Sequence, residues 1–140
     1  MKNTLELNDS YLITDAGGTI SVINIDKLSN FITRRIYSIN SVKEGEKRGF
    51  HAHKNLSQIL LCSMGQIEIL LDDGNEKKSV VLDTPSKGLF IGPGIWHEMK
   101  WLYSDSVLTV VASDIYNEND YIRDYNEFLN LAKEGYWLQK

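Results

Sequence analysis

All three histidines of this 140-residue chain fall in two short segments, Arg48-Gly49-Phe50-His51-Ala52-His53-Lys54 and Gly92-Pro93-Gly94-Ile95-Trp96-His97-Glu98-Met99. Strand side chains alternate between faces, so His51 and His53 are expected to point the same way, about 7 Å apart. Imidazole takes up and releases protons near neutral pH, and two imidazoles facing one pocket suit general acid/base work. His97, which follows a Gly-Pro-Gly turn, is a candidate third acid/base or an orienting partner. An isolated strand histidine is more often a satisfied packing residue. A His-x-His pair beside Arg48, with a third histidine after a turn, points to a site instead.

Other side chains fit the same pocket. In the segment from Phe31 to Ile39, Arg35 and Tyr37 share one strand face. An inward Tyr37 either hydrogen-bonds a substrate oxygen and relays a proton or simply packs. Arg35 is costly to bury without an anion, and together with Arg48 it is the best-placed cation for an anionic ligand. Lys47, Lys54 and Arg34 read as solvated surface residues. Trp96 either stacks on a ligand or packs plainly near a barrel mouth. Cys62, the only cysteine, reads as a small core residue and excludes an internal disulfide.

These residues need a rigid frame, and the rest of the sequence supplies one. Runs rich in β-branched and aromatic residues recur between turn residues at 19–25, 31–39, 58–62, 66–71, 79–82, 89–91, 96–101 and 106–113. The pattern predicts an all-β sandwich or barrel, with hairpins at Asp73-Gly74-Asn75 and Gly92-Pro93-Gly94. Only the end of the chain reads as helix: Tyr121, Tyr125, Phe128, Leu129 and Ala132 recur at helical spacing, with Asn117 or Asn119 as N-cap and Gly135 as stop. Its apolar stripe is too short to stand alone, so the helix must pack on the outside of a sheet or on a second subunit. No repeat or linker divides the chain, which predicts a single domain over residues 1–140. There is no apolar run of membrane length and no export signal over Met1 to Ser10, so a cytoplasmic protein is expected. A net charge of −4 argues against a broad nucleic-acid surface and leaves room for a local anion site.

The spacing Gly45, five residues, His51-x-His53, four residues, Gln58, six residues, Gly65 resembles the first motif of the cupin superfamily, and Pro93-Gly94-Ile95-Trp96-His97 resembles the second, one residue short. That resemblance implies a cupin-type jelly-roll β-barrel. Metal-binding cupins use three histidines and a glutamate, and Gln58 stands at the carboxylate position. A neutral amide is a weaker ligand for a divalent cation, so the pattern leans away from metal, although two or three imidazoles can hold zinc or iron.

A longer resemblance runs from about Asp15 to Phe128. Arg48 to Lys54, Leu71-Asp72-Asp73-Gly74, Gly92 to Met99, Ala112-Ser113-Asp114-Ile115-Tyr116 and Asp120-Tyr121-Ile122-Arg123-Asp124-Tyr125 are together similar to the dTDP-4-keto-6-deoxyhexose 3,4-ketoisomerases, which make intermediates for 3-amino-3,6-dideoxy sugars. The resemblance implies a metal-free homodimer with no cofactor, acting on a dTDP-linked 4-keto-6-deoxy sugar. Within that reading His51, His53 and Tyr37 are the catalytic candidates, and Arg35, Arg48, Gln58, Trp96 and His97 the substrate-binding ones. The family commonly carries Asp-x-Arg-Gly in its first strands, whereas this chain reads Asp15-Ala16-Gly17-Gly18, so the work of that arginine must be done differently.

Moving a ketone from C4 to C3 needs a base for the C3 proton and reprotonation of the enediol at C4, with no redox cofactor. His51 and His53 projecting from one strand in one direction favour same-face transfer, hence a 3-keto-6-deoxygalactose product. Three other readings stay open, a metal-dependent cupin enzyme, a non-catalytic nucleotide-sugar binding cupin, and a C3/C5 epimerase, which needs the same proton abstraction beside a ketone.

Overall fold

The computed structural model describes residues 1–138. In chain order the strands are β1 (Thr4–Leu7), β2 (Ser10–Asp15), β3 (Gly18–Ile23), β4 (Arg35–Ile39), β5 (Lys47–His53), β6 (Gln58–Met64), β7 (Ile67–Asp72), β8 (Lys77–Leu82), β9 (Gly88–Ile91), β10 (Trp96–Trp101), β11 (Val107–Ala112) and β12 (Tyr121–Ile122). One helix, α1 (Tyr125–Lys133), follows. Two five-stranded antiparallel sheets face each other, ordered β1-β9-β6-β11-β4 and β12-β5-β10-β7-β8, and β2 pairs with β3 as a separate hairpin. The recurring short runs predict such an all-β sandwich or barrel, and the cupin resemblance implies its jelly-roll form.

Alternation along each strand builds the layers. In β10, Met99 and Trp101 turn inward and pair in register with Ile69 and Ile67 of β7. They join Leu60, Leu89, Leu108 and Val110 of the opposite sheet in the main core. Each such side chain, once buried, contributes roughly 1.5–3 kcal/mol. On the outer face of the second sheet, Ala52, Trp96 and Ile122 meet Phe128 of α1 in a smaller core. The helix therefore packs on the outside of its own sheet. Asp124 caps it by accepting from the Glu127 amide at 2.8 Å. Gly135 (φ 75°) ends it, with the Tyr136 amide returning to the Leu131 carbonyl and the Gly135 amide to Ala132.

Several expectations need correction. Gly92-Pro93-Gly94 is not a hairpin turn: it carries the chain from β9 in one sheet to β10 in the other, because β9 finds its partners in β1 and β6. Phe31 to Arg34 lies outside β4, which starts at Arg35. Tyr121 belongs to β12 rather than to the helix, and Asn117 caps a 3₁₀ turn over Glu118–Asp120 instead. The first fifteen residues form β1 and β2, where the sequence reading predicts no strand. Gly17 sits in the tight turn between β2 and β3, where its amide donates to Asp15 Oδ1 at 2.7 Å.

Candidate active site

At one end of the space between the sheets the apolar filling gives way to polar groups. β10 pairs His97 with His51 but Glu98 with Gly49 and Met99 with Arg48, so Phe50 is left as an extra residue in β5. Gly49 and Phe50 both have positive φ, 93° and 58°. A Cβ on Gly49 would come within 2.9 Å of the His97 carbonyl oxygen, so the bulge needs glycine there. Plain alternation would put Arg48 and His51, three positions apart, on opposite faces. The bulge resets the alternation by one residue and brings both to the same cavity.

That cavity, of about 250 Å³, is walled by Arg48, His51, His97 and Met99 on one side and by Arg35, Tyr37, Gln58, Leu60 and Val110 on the other, with Tyr121 and Arg123 beside them. His53 stands behind His51, 2% exposed, its ring edge-on to His51 at 4.9 Å and to Tyr121 at 4.5 Å. The His51 and His97 rings meet at 4.7 Å.

All three imidazoles are held by their Nδ1 atoms. His51 Nδ1 donates to the Gly49 carbonyl at 3.0 Å and His97 Nδ1 to the Ile95 carbonyl at 3.1 Å, since a carbonyl can only accept. His53 Nδ1 lies 3.0 Å from the Asp120 carboxylate. Neutral rings fixed this way carry their lone pair on Nε2. Burial and the nearby His53 push His51 down to about 4, against a weaker opposing pull from the Gly49 carbonyl, so it is a neutral base at pH 7. Burial likewise holds His97 well below its ordinary value. Burial, aided by Tyr121, raises Tyr37 despite Arg35 and the Gln58 hydrogen bond, so its hydroxyl keeps its proton.

On the opposite wall, Gln58 Nε2 donates to Tyr37 Oη at 2.9 Å, leaving the phenolic proton free to donate elsewhere. The Arg35 guanidinium lies 5.0 Å over the Tyr37 ring and 5.9 Å from Tyr116, and its buried Nε has no partner among the described residues.

Of the sequence candidates, His51, Tyr37, Arg35, Arg48, Gln58 and His97 come together at the cavity. Trp96 does not: neighbouring strand residues face opposite ways, so with His97 inward Trp96 turns outward. There it packs edge-on to Tyr125 at 5.1 Å and donates to Glu98 at 3.0 Å. Sequence reasoning assigned no role in this cavity to Asp120, Tyr121 or Arg123. Arg123 lies after β12, paired with Glu118 at 2.7 and 2.9 Å and 4.3 Å over the Tyr121 ring. The available signal was the Asp120-Tyr121-Ile122-Arg123 segment itself.

Comparison with known proteins places this geometry. A family model described as "FdtA: WxcM-like, C-terminal" matches residues 3–133. The chain belongs to this family. It is 46% identical over 129 residues, 88% of this chain and 93% of the relative, to the TDP-4-oxo-6-deoxy-α-D-glucose-3,4-oxoisomerase of Aneurinibacillus thermoaerophilus. Among solved structures, the 3,4-ketoisomerase QdtA of Thermoanaerobacterium thermosaccharolyticum, as a histidine-to-asparagine variant with TDP-4-keto-6-deoxyglucose, matches with a TM-score of 0.87 and 36% identity, covering 98% of this chain and 99% of that one. A 3,4-ketoisomerase of Helicobacter canadensis matches with a TM-score of 0.85 and 42% identity, covering 94% and 98%.

In this FdtA-family member the three histidines offer ring nitrogens within 4.8 Å of one another, the group among the described residues able to hold a metal. With the neutral Gln58 at the place of a fourth, anionic ligand, such a site is weaker than a three-histidine-and-carboxylate one. What the arrangement offers directly is imidazole lone pairs facing a phenol, with guanidinium groups beside them.

Proposed function

We propose that this protein is a nucleotide-sugar 3,4-ketoisomerase, moving the ketone of TDP-4-keto-6-deoxyglucose from C4 to C3 by acid/base catalysis without a metal or redox cofactor. The observation that carries this reading is that His51 and His97 have Nδ1 committed to backbone carbonyls, leaving Nε2 free at the wall of a cavity faced by Tyr37 and Gln58. Its relatives carry names of the same activity.

In the reaction, His51 Nε2 takes the C3 proton and the C–H electron pair becomes the C3–C4 double bond while O4 gains a proton. The enediol then gives up the O3 proton as C4 is protonated. One proton has moved from C3 to C4 and one from O3 to O4, and no electron has left the sugar, so the step calls for positioned acids and bases. Tyr37, held by Gln58, suits the transfer between oxygens. Arg35 and Arg48 meet the two phosphates. Arg35 also borders an adjoining cavity of about 290 Å³ with Asn55, Ser113 and Asn117. A pyrophosphate at Arg35 would let the sugar occupy the first cavity and the nucleoside the second.

The histidines all stand on one sheet, which supports return of the proton to the face it left and a 3-keto-6-deoxygalactose product. Tyr11, Leu12, Ile13 and Ile20 are at least half exposed on the β2–β3 hairpin, and a second copy covering them would make the cytoplasmic homodimer expected from the sequence. No helix among the described residues is long and apolar enough to cross a membrane.

Incubation with TDP-4-keto-6-deoxyglucose in D2O, followed by NMR, tests the reading. A 3-keto product carrying solvent deuterium is expected. Binding without deuterium incorporation would leave a nucleotide-sugar binding protein, and activity lost to a chelator and restored by a metal would make it a metalloenzyme. Trapping the product with a 3-aminotransferase and reading its proton couplings gives the C4 configuration; a gluco product would move the final protonation to the Tyr37 side.

A further inference from the structure

We propose that Asp120 is a positioning residue of this reaction, acting through His53: its carboxylate keeps the ring proton of His53 on Nδ1 and so keeps Nε2 a bare acceptor inside the histidine cluster. His51 and His97 are anchored by backbone carbonyls, whereas His53 is anchored by a carboxylate, with Asp120 Oδ2 3.0 Å from Nδ1. The carboxylate is itself held in place. Its Oδ1 accepts from the Asn55 amide at 2.7 Å and its Oδ2 from the Leu56 amide at 3.3 Å. The chain then enters β12, where Tyr121 pairs in register with His53, so the carboxylate and the ring it holds are fixed by the same strand ladder.

The other end of the ring is left open. His53 is 2% exposed, and its buried Nε2 has no partner among the described residues. An unpaired buried acceptor costs stability, and the chain bears that cost beside the two other imidazoles. The tautomer decides what Nε2 does there. With the proton on Nδ1, the cluster presents lone pairs only. With the proton on Nε2, the ring would turn the positive end of an N–H toward the other imidazoles, one nitrogen of each histidine lying within 4.8 Å of the others, and make proton uptake by His51 less favourable. Asp120 therefore protects the base at one remove, without touching the sugar.

The inference rests on the ketoisomerase reading, and Asp120→Asn tests it. The amide oxygen still accepts from Asn55, but the amide N–H faces His53 Nδ1 and drives the ring proton to Nε2. For TDP-4-keto-6-deoxyglucose, kcat is expected to fall by about 10²-fold or more while KM stays within about threefold, the pattern of a lost proton-transfer contribution. In parallel, ¹⁵N NMR of the imidazoles should show His53 with Nδ1–H in the wild-type protein and Nε2–H in the variant. Asp120→Glu, which retains a carboxylate, should recover most of the rate. A flipped ring with unchanged kcat, or a wild-type His53 protonated on Nε2, would overturn the proposal. If Asp120→Asn fails to fold, the wild-type spectrum and Asp120→Glu still decide: Nε2–H in the first, or a folded second variant with Nδ1–H and a kcat as low as that of a His53→Ala variant, overturns it. The spectra need no substrate, so a wild-type protein that leaves the sugar unchanged defeats the ketoisomerase reading and is told apart from a failure of the Asp120 role.

Discussion

The two ends of the space between the sheets are built from the same strands and filled with opposite chemistry. β10 sends His97 to one end and Trp101, four residues on and on the same inner face, to the other; β6 does likewise with Gln58 and Cys62. At the apolar end the buried Trp101 Nε1 has a partner, donating to the Ser106 carbonyl at 2.9 Å. At the polar end His53 Nε2 and Arg35 Nε are buried without one among the described residues. The face of a strand decides only whether a residue points inward. Its position along the strand decides whether it becomes core or site, and the site end gives up some stability for groups left ready to act.

The sharpest way to separate the two ends is to remove one group from each. His51→Asn should lower kcat by roughly 10²- to 10⁴-fold while calorimetric affinity for TDP holds, because it removes the proposed base and leaves the cations. Near-normal turnover would take His51 out of the mechanism. Trp101→Ala should reverse the pattern, lowering stability in urea by about 3–5 kcal/mol through an unfilled core site, with the folded fraction still binding TDP. Arg35→Ala and Arg48→Ala should each weaken TDP binding by on the order of 1.5–3 kcal/mol, the worth of a charge-assisted contact. Unchanged affinity in both would place the pyrophosphate elsewhere.

The smallest effect concerns acid. The folded pKa of His51, about 4, lies below its ordinary 6.5, so as pH falls the unfolded chain binds the proton first. Stability from this group is whole above 6.5 and is lost between 6.5 and about 4, and buried His97 acts in the same direction. Melting temperature measured across that window should fall less steeply for His51→Asn than for the wild-type protein. Equal slopes would mean that His51 is not held neutral by the fold.

Much of the fold was legible because period-two alternation is local. The runs that became β6, β7, β10 and β11 are marked just as locally, by β-branched, aromatic and aliphatic residues between turn residues, and the helix from Tyr125 onward shows its own spacing. β1 and β2 were not legible, since β1 is only four residues long and Tyr11-Leu12-Ile13 in β2 is an unbroken apolar run with no alternation to read. Nor was the crossing at Gly92-Pro93-Gly94, because a turn-forming tripeptide does not say which strand comes back to pair. The site divided in the same way. His51, His97, Arg35 and Tyr37 could be found from residue type and spacing. Trp96 was misplaced by its neighbour's importance, although its own parity already put it on the other face.

What the sequence by itself determined was the chemistry in reserve: three imidazoles, a tyrosine and arginine on one strand face, and a run of strands to hold them. These depend on residue type and on spacing within a few positions. The tertiary structure alone decided which of them meet. The bulge at Gly49-Phe50 turns Arg48 onto the same cavity as His51, and it depends on the register with β10, nearly fifty residues away. Asp120 reaches His53 across 67 residues of chain because β12 returns to the edge of β5. His53 falls behind His51 because the rings crowd together at 4.9 Å rather than standing a strand repeat apart. Contacts between distant segments are fixed by packing and sheet register, which no local pattern encodes.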